Sequence, residues 1–373
     1  MKKITLKALI GVLLLSACNN TPVTEDNVTE IDIYEASKDS MEIWDMYSDV
    51  KFIPLENSLP AMIYYGSKIE VSDSSIYVMD MDEIGASVKR FGIDGRYKNN
   101  IGRSGHGRGE YQNIADFTAS QNGDTVVLAT FTELMAYSQN GEYLFSSAPF
   151  DGYKMKRIQK AGDGYLCSTE YSDENFTLHY LDAKLNVKRE YFPTNGVVIG
   201  LASLVDVPIR FSGQLAYFYD SYTSVLHRFD PLSPESSESV HFLSPYALSL
   251  DKFSKADVYD SDMDHMSDFI VTDDKILGHV RMTKPTYSTP LFTYCFSSHK
   301  LALHYNRWYS PRVMTAHKGM HYALIPQEEF VNLRQAMEHY RKSGTLVCNY
   351  FDVADTVNEK SNSILMIAKP KDK

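Results

Sequence analysis

The stretch Phe91–Tyr111, F-G-I-D-G-R-Y-K-N-N-I-G-R-S-G-H-G-R-G-E-Y, constrains the fold more than any other. It reads as a strand, a tight turn, a second strand and a glycine-rich loop. Its first half recurs as Y-S-Q-N-G-E-Y at Tyr137–Tyr143, Y-L-D-A-K-L at Tyr180–Leu185, F-D-P-L-S-P at Phe229–Pro234 and F-S-S-H-K-L at Phe296–Leu301. Asp-Gly and Asn-Gly mark hairpins because glycine adopts φ > 0 without a steric penalty. Successive leading aromatics lie 46, 43, 49 and 67 residues apart. A period of about 40–50 residues built of short strands predicts a β-propeller. The 26 Tyr and 18 Phe agree, since flat rings pack well on pleated sheets.

Four strands per blade can be placed at 62–101, 114–147, 153–192, 197–243 and 268–305. A last set, at 313–325 and Ser363–Lys369, is one strand short. Val50–Glu56, ahead of the first blade, supplies the missing strand and closes the ring, which removes free sheet edges. The expected class is therefore all-β, a six-bladed propeller closed by an N-terminal strand. Pro326–Ser343 interrupts the last blade. Acids in its first turn, apolar Phe330, Val331, Leu333, Met337 and Tyr340, and Gly344 at its end predict an inserted amphipathic helix.

The N-terminus carries an address. Lys2, Lys3 and Lys7 precede or flank an apolar run, Leu6–Leu15, too short to span a bilayer. Leu15-Ser16-Ala17-Cys18 resembles the lipobox of bacterial lipoproteins, which implies cleavage before Cys18 and acylation of its sulfur. The expected organisation is a signal peptide at 1–17, a lipidated Cys18 with a flexible tether at 18–45, and the propeller at 46–373. The whole chain has 37 basic and 48 acidic residues. Such an acidic balance argues against nucleic acid and polybasic lipid attachment, so membrane contact is expected through the anchor alone. Cys167, Cys295 and Cys348 remain after Cys18, an odd number with no C-x-x-C.

The lipobox, the early Ile53-Pro54-Leu55-Glu56 strand and Ile101–Tyr111 together resemble the six-bladed β-propeller lipoproteins of Gram-negative gut bacteria. These are similar in turn to NHL-repeat propellers and are largely of unassigned function. Their pattern, I-G-R-x-G-x-G-P-G-E-Y, is matched at Ile101, Gly102, Arg103, Gly105, Gly107, Gly109, Glu110 and Tyr111, with Arg108 in place of proline. The resemblance covers about residues 50–370 and implies an outer-membrane lipoprotein of the cell envelope.

Antiparallel order sorts the connections. Joins between the first and second, and the third and fourth, strands of a blade lie on one face and are short, except in blade four. The other joins lie on the opposite face and include 102–113, 244–267, 306–312 and the helix. Long loops gathered on one face mark it as the working face. Candidate binding residues there are Arg103, His106, Arg108 and Tyr111 in the first loop. Arg307, Trp308, Tyr309 and Arg312 follow in the loop before blade six. Aromatic faces suit sugar rings and guanidinium suits carboxylate. A structural reading stands beside this one: Arg103 and Glu110 pair to hold a turn, and Trp308 wedges between blades. Asp260, Asp262 and Asp264 have calcium-loop spacing but lack the glycine and the closing glutamate, so no metal site is assigned.

No H-E-x-x-H or G-x-S-x-G appears, and no catalytic residue or cofactor is assigned. His227, His241, His279, His304 and His321 fall mostly in strands and read as core. The expectation is a lipid-anchored binding or scaffold propeller for a glycan, peptide or envelope protein. The alternative is a hydrolase or lyase with a divalent cation in the central channel, for which only His317 stands on an inner strand.

Overall fold

A computed structural model describes residues 28–39, 41–83, 85–150, 154–169, 176–193, 209–220, 223–247, 264–272, 274–284 and 287–371. The chain opens with β1 (Val28–Asp32), β2 (Ser37–Asp39) and β3 (Tyr47–Pro54). Blade one is the meander β4 (Gly66–Val71), β5 (Ser75–Met81), β6 (Ala86–Gly92) and β7 (Tyr97–Asn100). Blade two is β8 (Asp116–Ala119), β9 (Thr125–Ala129), β10 (Leu134–Ser138) and β11 (Tyr143–Ser147). Blade three is β12 (Met155–Ala161), β13 (Gly164–Thr169), β14 (Phe176–Leu181) and β15 (Val187–Pro193). Blade four is β16 (Ile209–Ser212), β17 (Leu215–Asp220), β18 (Val225–Asp230) and β19 (Ser233–Leu243). Blade five is β20 (His265–Thr272), β21 (Lys275–Arg281), β22 (Leu291–Cys295) and β23 (Lys300–His304). Blade six adds β24 (Thr315–His317), β25 (Met320–Ile325), β26 (Val347–Cys348) and β27 (Ile364–Pro370).

In blade six the strand order is β24-β25-β27-β3-β26. The N-terminal β3 thus fills the place the sequence leaves vacant, antiparallel to β27 from Tyr47↔Pro370 to Pro54↔Ile364. The first strands of the six blades touch their neighbours in turn, β24 meeting β4, and enclose a central channel. Between blades the filling is apolar, as in Tyr77, Phe117, Leu128 and Tyr137 between the first two.

The inserted helix is two pieces, α1 (Gln327–Phe330) and α2 (Arg334–Ser343), joined through a 3-10 turn at Val331–Leu333. Phe330, Leu333, Met337 and Tyr340 are buried in one cluster with Trp44, Phe52 and Tyr350, the last from α3 (Tyr350–Ala354). Gly344 at φ 67° ends α2, its N–H donating to Tyr340 O. No helix among the described residues is long and apolar enough to cross a membrane.

Two expectations need correction. The tether does not extend to residue 45. β1 pairs parallel with β19 and β2 parallel with β23, covering the outer edges of blades four and five. Ile43 and Trp44 are then fully buried in a 3-10 turn. Ile31 and Ile33, two residues apart, give that segment a face to bury, which the polar composition of 19–30 concealed. The leader, Cys18 and residues 18–27 lie outside the described residues. The long fourth join is also revised. β19 starts at Ser233, because the Asp230 carboxylate accepts from Leu232 N–H at 2.8 Å and tightens the turn at Pro231-Leu232. Pro234 is tolerated because that half of β19 is an edge that β1 does not reach. Of the first strand placed at 197–211 in blade four, 197–208 lies outside the described residues.

The repeated turn has a packing purpose. Gly95 and Gly141 adopt φ 82° and 81°, and a Cβ there would stand 2.6 Å from Pro54 O and 2.4 Å from Asn100 O. Each turn therefore abuts the end of the preceding blade's outer strand, β3 or β7. In blade three Leu185 takes this place at φ 65°, and its carbonyl accepts from Ser147 Oγ at the end of β11. The left-handed conformation costs a leucine about 1–2 kcal/mol. Full burial of its side chain returns about 1.5–3 kcal/mol. Gly141→Ala is accordingly expected to destabilise the fold by more than about 1 kcal/mol, since strain and a backbone clash add. Leu185→Gly should lower stability as well, in spite of the relieved φ. Urea unfolding of the two variants checks this; a Leu185→Gly protein more stable than the parent would refute the packing account.

Candidate functional site

The inner strands, and in blade six the segment just ahead of β24, place one charged residue per blade at the channel mouth on the long-loop face. They are Lys68, Asp116, Arg157, Arg210, Asp268 and Arg312, around a cavity of about 420 Å³. Each precedes an apolar residue in sequence: Ile69, Phe117, Ile158, Phe211, Phe269 and Val313. Strand alternation turns the apolar member between the sheets and the charged one to the channel. Ile69, Phe117, Ile158 and Phe269 are essentially inaccessible.

The ring is held by its own charges. Lys68 Nζ donates to both Asp116 oxygens, at 2.9 and 3.1 Å, and to Phe117 O at 2.7 Å. Asp116 also accepts from Ile158 N–H at 2.8 Å, tying blades two and three. Arg210 Nη2 lies 2.7 Å from Asp268 Oδ1, and Arg312 Nη2 lies 2.9 Å from Asp268 Oδ2. One carboxylate thus spans blades four, five and six. Arg157 donates to Lys156 O at 3.1 Å. Arg210 Nε is buried and has no hydrogen-bond acceptor among the described residues. Four cations face two carboxylates in a chain that is acidic overall. Just below, Glu70 lies 3.4 Å from Lys68 Nζ. Burial pushes its carboxyl above the usual range, partly opposed by Lys68 and Arg210. Arg210 also lines the channel's opposite end, a polar cavity of about 560 Å³ that includes Gln121, Gln159, Asp163 and His317.

Of the eight binding candidates, Arg312 alone stands in the ring. The loop 103–111 is its own scaffold. Arg103 Nε donates to Glu110 Oε1 at 2.6 Å, and Gly107 N–H donates to Glu110 Oε2 at 2.8 Å, which holds that carboxyl below its ordinary range. Tyr111 is core, packed with Ile101, Phe117 and Tyr137, and burial pushes its hydroxyl up to about 12. It offers a ligand no face, because the parallel bridge to Ser104 turns the ring inward. His106 bonds Gln112 at 2.8 Å and Arg108 lies over the Tyr143 ring, both on the surface.

The loop 306–310 is pinned rather than presented. Glu42 accepts from Arg307 N–H at 2.7 Å and from Trp308 N–H at 3.4 Å, and Trp44 Nε1 donates to Tyr309 O. The Trp308 ring is half-buried against the blade-six core, 6.1 Å from the His339 ring of α2. Tyr309 donates its hydroxyl to Glu329 of α1. Burial, with Glu329 adding, raises its ionisation well above normal. Arg307 is exposed and covers Trp308. Trp308 thus packs one side on the blade-six core and α2.

Other candidates resolve into support. Asp264 is buried, accepting from Thr283 N–H and Oγ1 and from the Tyr34 and Ser244 hydroxyls. Asp260 and Asp262 lie outside the described residues. His317 Nε2 lies 3.2 Å from Asp73, on the short-turn face. No group of three or more His, Cys, Asp or Glu among the described residues is arranged to hold a metal ion. The five ring residues besides Arg312 were missed because each is ordinary alone. Their signal is the pair charged–apolar, recurring once per blade at the start of the first strand.

A family model described as a domain of unknown function, DUF4934, matches residues 28–369. The chain belongs to that family. Among solved structures, an exported protein of Bacteroides fragilis superposes with a TM-score of 0.67 at 14% identity, over 93% of this chain and 100% of that one. A DUF4221-family member from Bacteroides vulgatus gives 0.54 at 10% identity, over 88% and 98%. These likenesses show a shared fold. No curated protein matches the chain at a significant level.

Two outcomes are expected. Trp308→Ala should cost about 2 kcal/mol or more in chemical unfolding, whereas Arg307→Ala should be near neutral; equal, negligible effects would return Trp308 to the surface. The second concerns pH. Burial lowers His321 and His279 to about 4 and His227 to about 3. The unfolded chain takes up these protons first, so their contribution is complete above pH about 6.5 and is lost as pH falls towards about 4. Melting temperature should fall across that window, and less steeply in His321→Gln. A flat profile would contradict neutral burial.

Proposed function

We propose that this chain is a lipid-anchored envelope binding propeller, of the NHL-like lipoprotein kind, that holds a glycan, peptide or protein partner on its long-loop face. The observation that carries the reading is the coincidence of the charged ring with exposed apolar surface. Leu59, Tyr64, Tyr65, Met81, Phe131, Tyr287 and Tyr305 stand exposed on the connections of that face. On the turns of the other face, Ile93 and Leu232 do. A concave site with fixed polar groups and exposed aromatic side chains around it is suited to hold a ligand.

The direction of β1 supports the anchor. β19 runs from the short-turn face to the long-loop face, and β1 runs parallel to it. The chain before Val28 therefore arrives from the short-turn side. Ten residues, 18–27, reach at most about 35 Å, so an acylated Cys18 would turn the short-turn face to the membrane and the ring away from it. The divalent-cation reading has less support, since His317 stands on the membrane-side mouth with Asp73 and Lys318 as neighbours.

Cys18→Ala in the full-length precursor should move the protein from the membrane fraction to the soluble fraction. The soluble chain from Asn20 should gain melting temperature with an oligosaccharide or peptide, and lose that gain in Arg312→Ala. At 100 times the dissociation constant the gain corresponds to about 2.7 kcal/mol. A shift given only by a divalent cation and reversed by a chelator would replace this reading with the enzymatic one.

A further inference from the structure

We infer that the ring at the long-loop mouth seats a carboxylate carried by a small ligand about the size of one sugar acid. The inference rests on the binding reading above and names the chemistry of its ligand. Both ring carboxylates are already committed. Asp116 accepts from Lys68 Nζ and Ile158 N–H, and Asp268 from Arg210, Arg312 and Phe269 N–H. Among the described residues Arg210 Nε has no acceptor, although a buried guanidinium donor left unpaired costs about as much as a lost charged hydrogen bond. Lys68 is already answered by Asp116 and Glu70, so the cationic character left in the cavity is that of the Arg210 and Arg312 pair, where low dielectric strengthens attraction for an anion.

Geometry selects the kind of anion. Arg210 and Arg312 are held within the span of a single carboxylate, since Asp268 bonds one with each oxygen. Planar guanidinium forks match a second planar carboxylate in the same way. Beside the charged ring, Tyr65, two-thirds exposed, lines the mouth, and Met314 and Met81 complete an apolar wall. Asp80 fixes this rim, accepting from Tyr64 and Tyr65 N–H at 2.8 and 2.9 Å while paired with Lys89 at 2.7 Å. A flat aromatic next to cations suits a ligand with a compact ring or short chain bearing the acid. A volume of about 420 Å³ takes a body of that size.

The test is titration calorimetry of the soluble chain from Asn20 at low ionic strength with glucuronate, glutarate, glucose and sulfate. Glucuronate should bind at least tenfold more tightly than glucose, and more weakly as sodium chloride is raised. Arg312→Gln and Arg210→Gln should each weaken it at least tenfold, while Arg96→Gln, on the opposite face, should not. Arg312 is half-exposed, so its variant keeps the test valid if Arg210→Gln fails to fold. Glutarate binding alongside glucuronate assigns the site to the carboxylate itself; glucuronate alone assigns it to a sugar acid. Glucose binding as well as glucuronate, sulfate binding more tightly than either carboxylate, no binding of either acid, or unchanged binding in both ring variants would overturn the inference. If a neutral glycan or peptide shifts the melting temperature through Arg312 while both acids fail, the binding face stands and only its carboxylate specificity falls.

Discussion

The pairing of β3 with β27 is the constraint on which the rest of the molecule depends. It joins residues more than three hundred positions apart and makes blade six a hybrid of the two ends of the chain. Without it, β27 would present an unpaired edge, and β24 and β4 would not be held together. Contacts of such sequence separation form late and carry a large loop-closure cost, so they must be well rewarded. The reward is visible. Phe52 of β3 packs edge-on against Phe330 and Tyr350, and Asn349 bonds both the N–H and the carbonyl of Phe52. The inserted helix, with α3, is thus a clamp over the closing strand, which explains why an amphipathic segment interrupts the last blade.

What was legible in the sequence follows from the same physics. Hairpin turns need φ > 0, so Asp94-Gly95 and Asn140-Gly141 announce themselves, and their spacing sets the blades. The closing strand could be assigned by subtraction because a propeller tolerates no vacancy. The N-terminal straps were hidden because an edge strand such as Ser37–Asp39 needs only backbone pairing and leaves no apolar pattern. Tyr111 and Trp308 misled for the opposite reason. An aromatic in a loop reads the same whether it faces a ligand or a neighbouring blade, and only the partner, Ser104 in one case and His339 in the other, decides. The ring was written in plain charges, one to a blade, but a single charge on a strand is indistinguishable from a solvated face until the strands are arranged about an axis.

That arrangement has an electrostatic consequence. Six inner strands converge on one axis, so any charge they turn inward meets the others at close range. Two such groups of unlike sign can neutralise each other, as Lys68 and Asp116 do, and stitch adjacent blades together. An unequal number cannot. A purely structural ring would be favoured by equal numbers, because an excess cation in a partly dehydrated channel is costly unless something else answers it. Glu70, 3.4 Å from Lys68, answers part of the excess; Arg210 Nε, without an acceptor among the described residues, is a part that stability alone does not account for.

The path of the N-terminal segment bears on how that imbalance would be met. β1 and β2 run along the outside of blades four and five before the chain enters the ring as β3. β1, parallel to β19, begins on the short-turn side, away from the mouth where Arg210 and Arg312 stand. The straps pair with β19 at Ser239–Leu243 and with β23 at Ala302–His304, so an extended peptide cannot add directly to those stretches. What the long-loop face offers instead is a pocket of fixed side chains, each set by the blade behind it. Recognition of that kind depends on the rigidity of the ring, which brings it back to the strand that closes it.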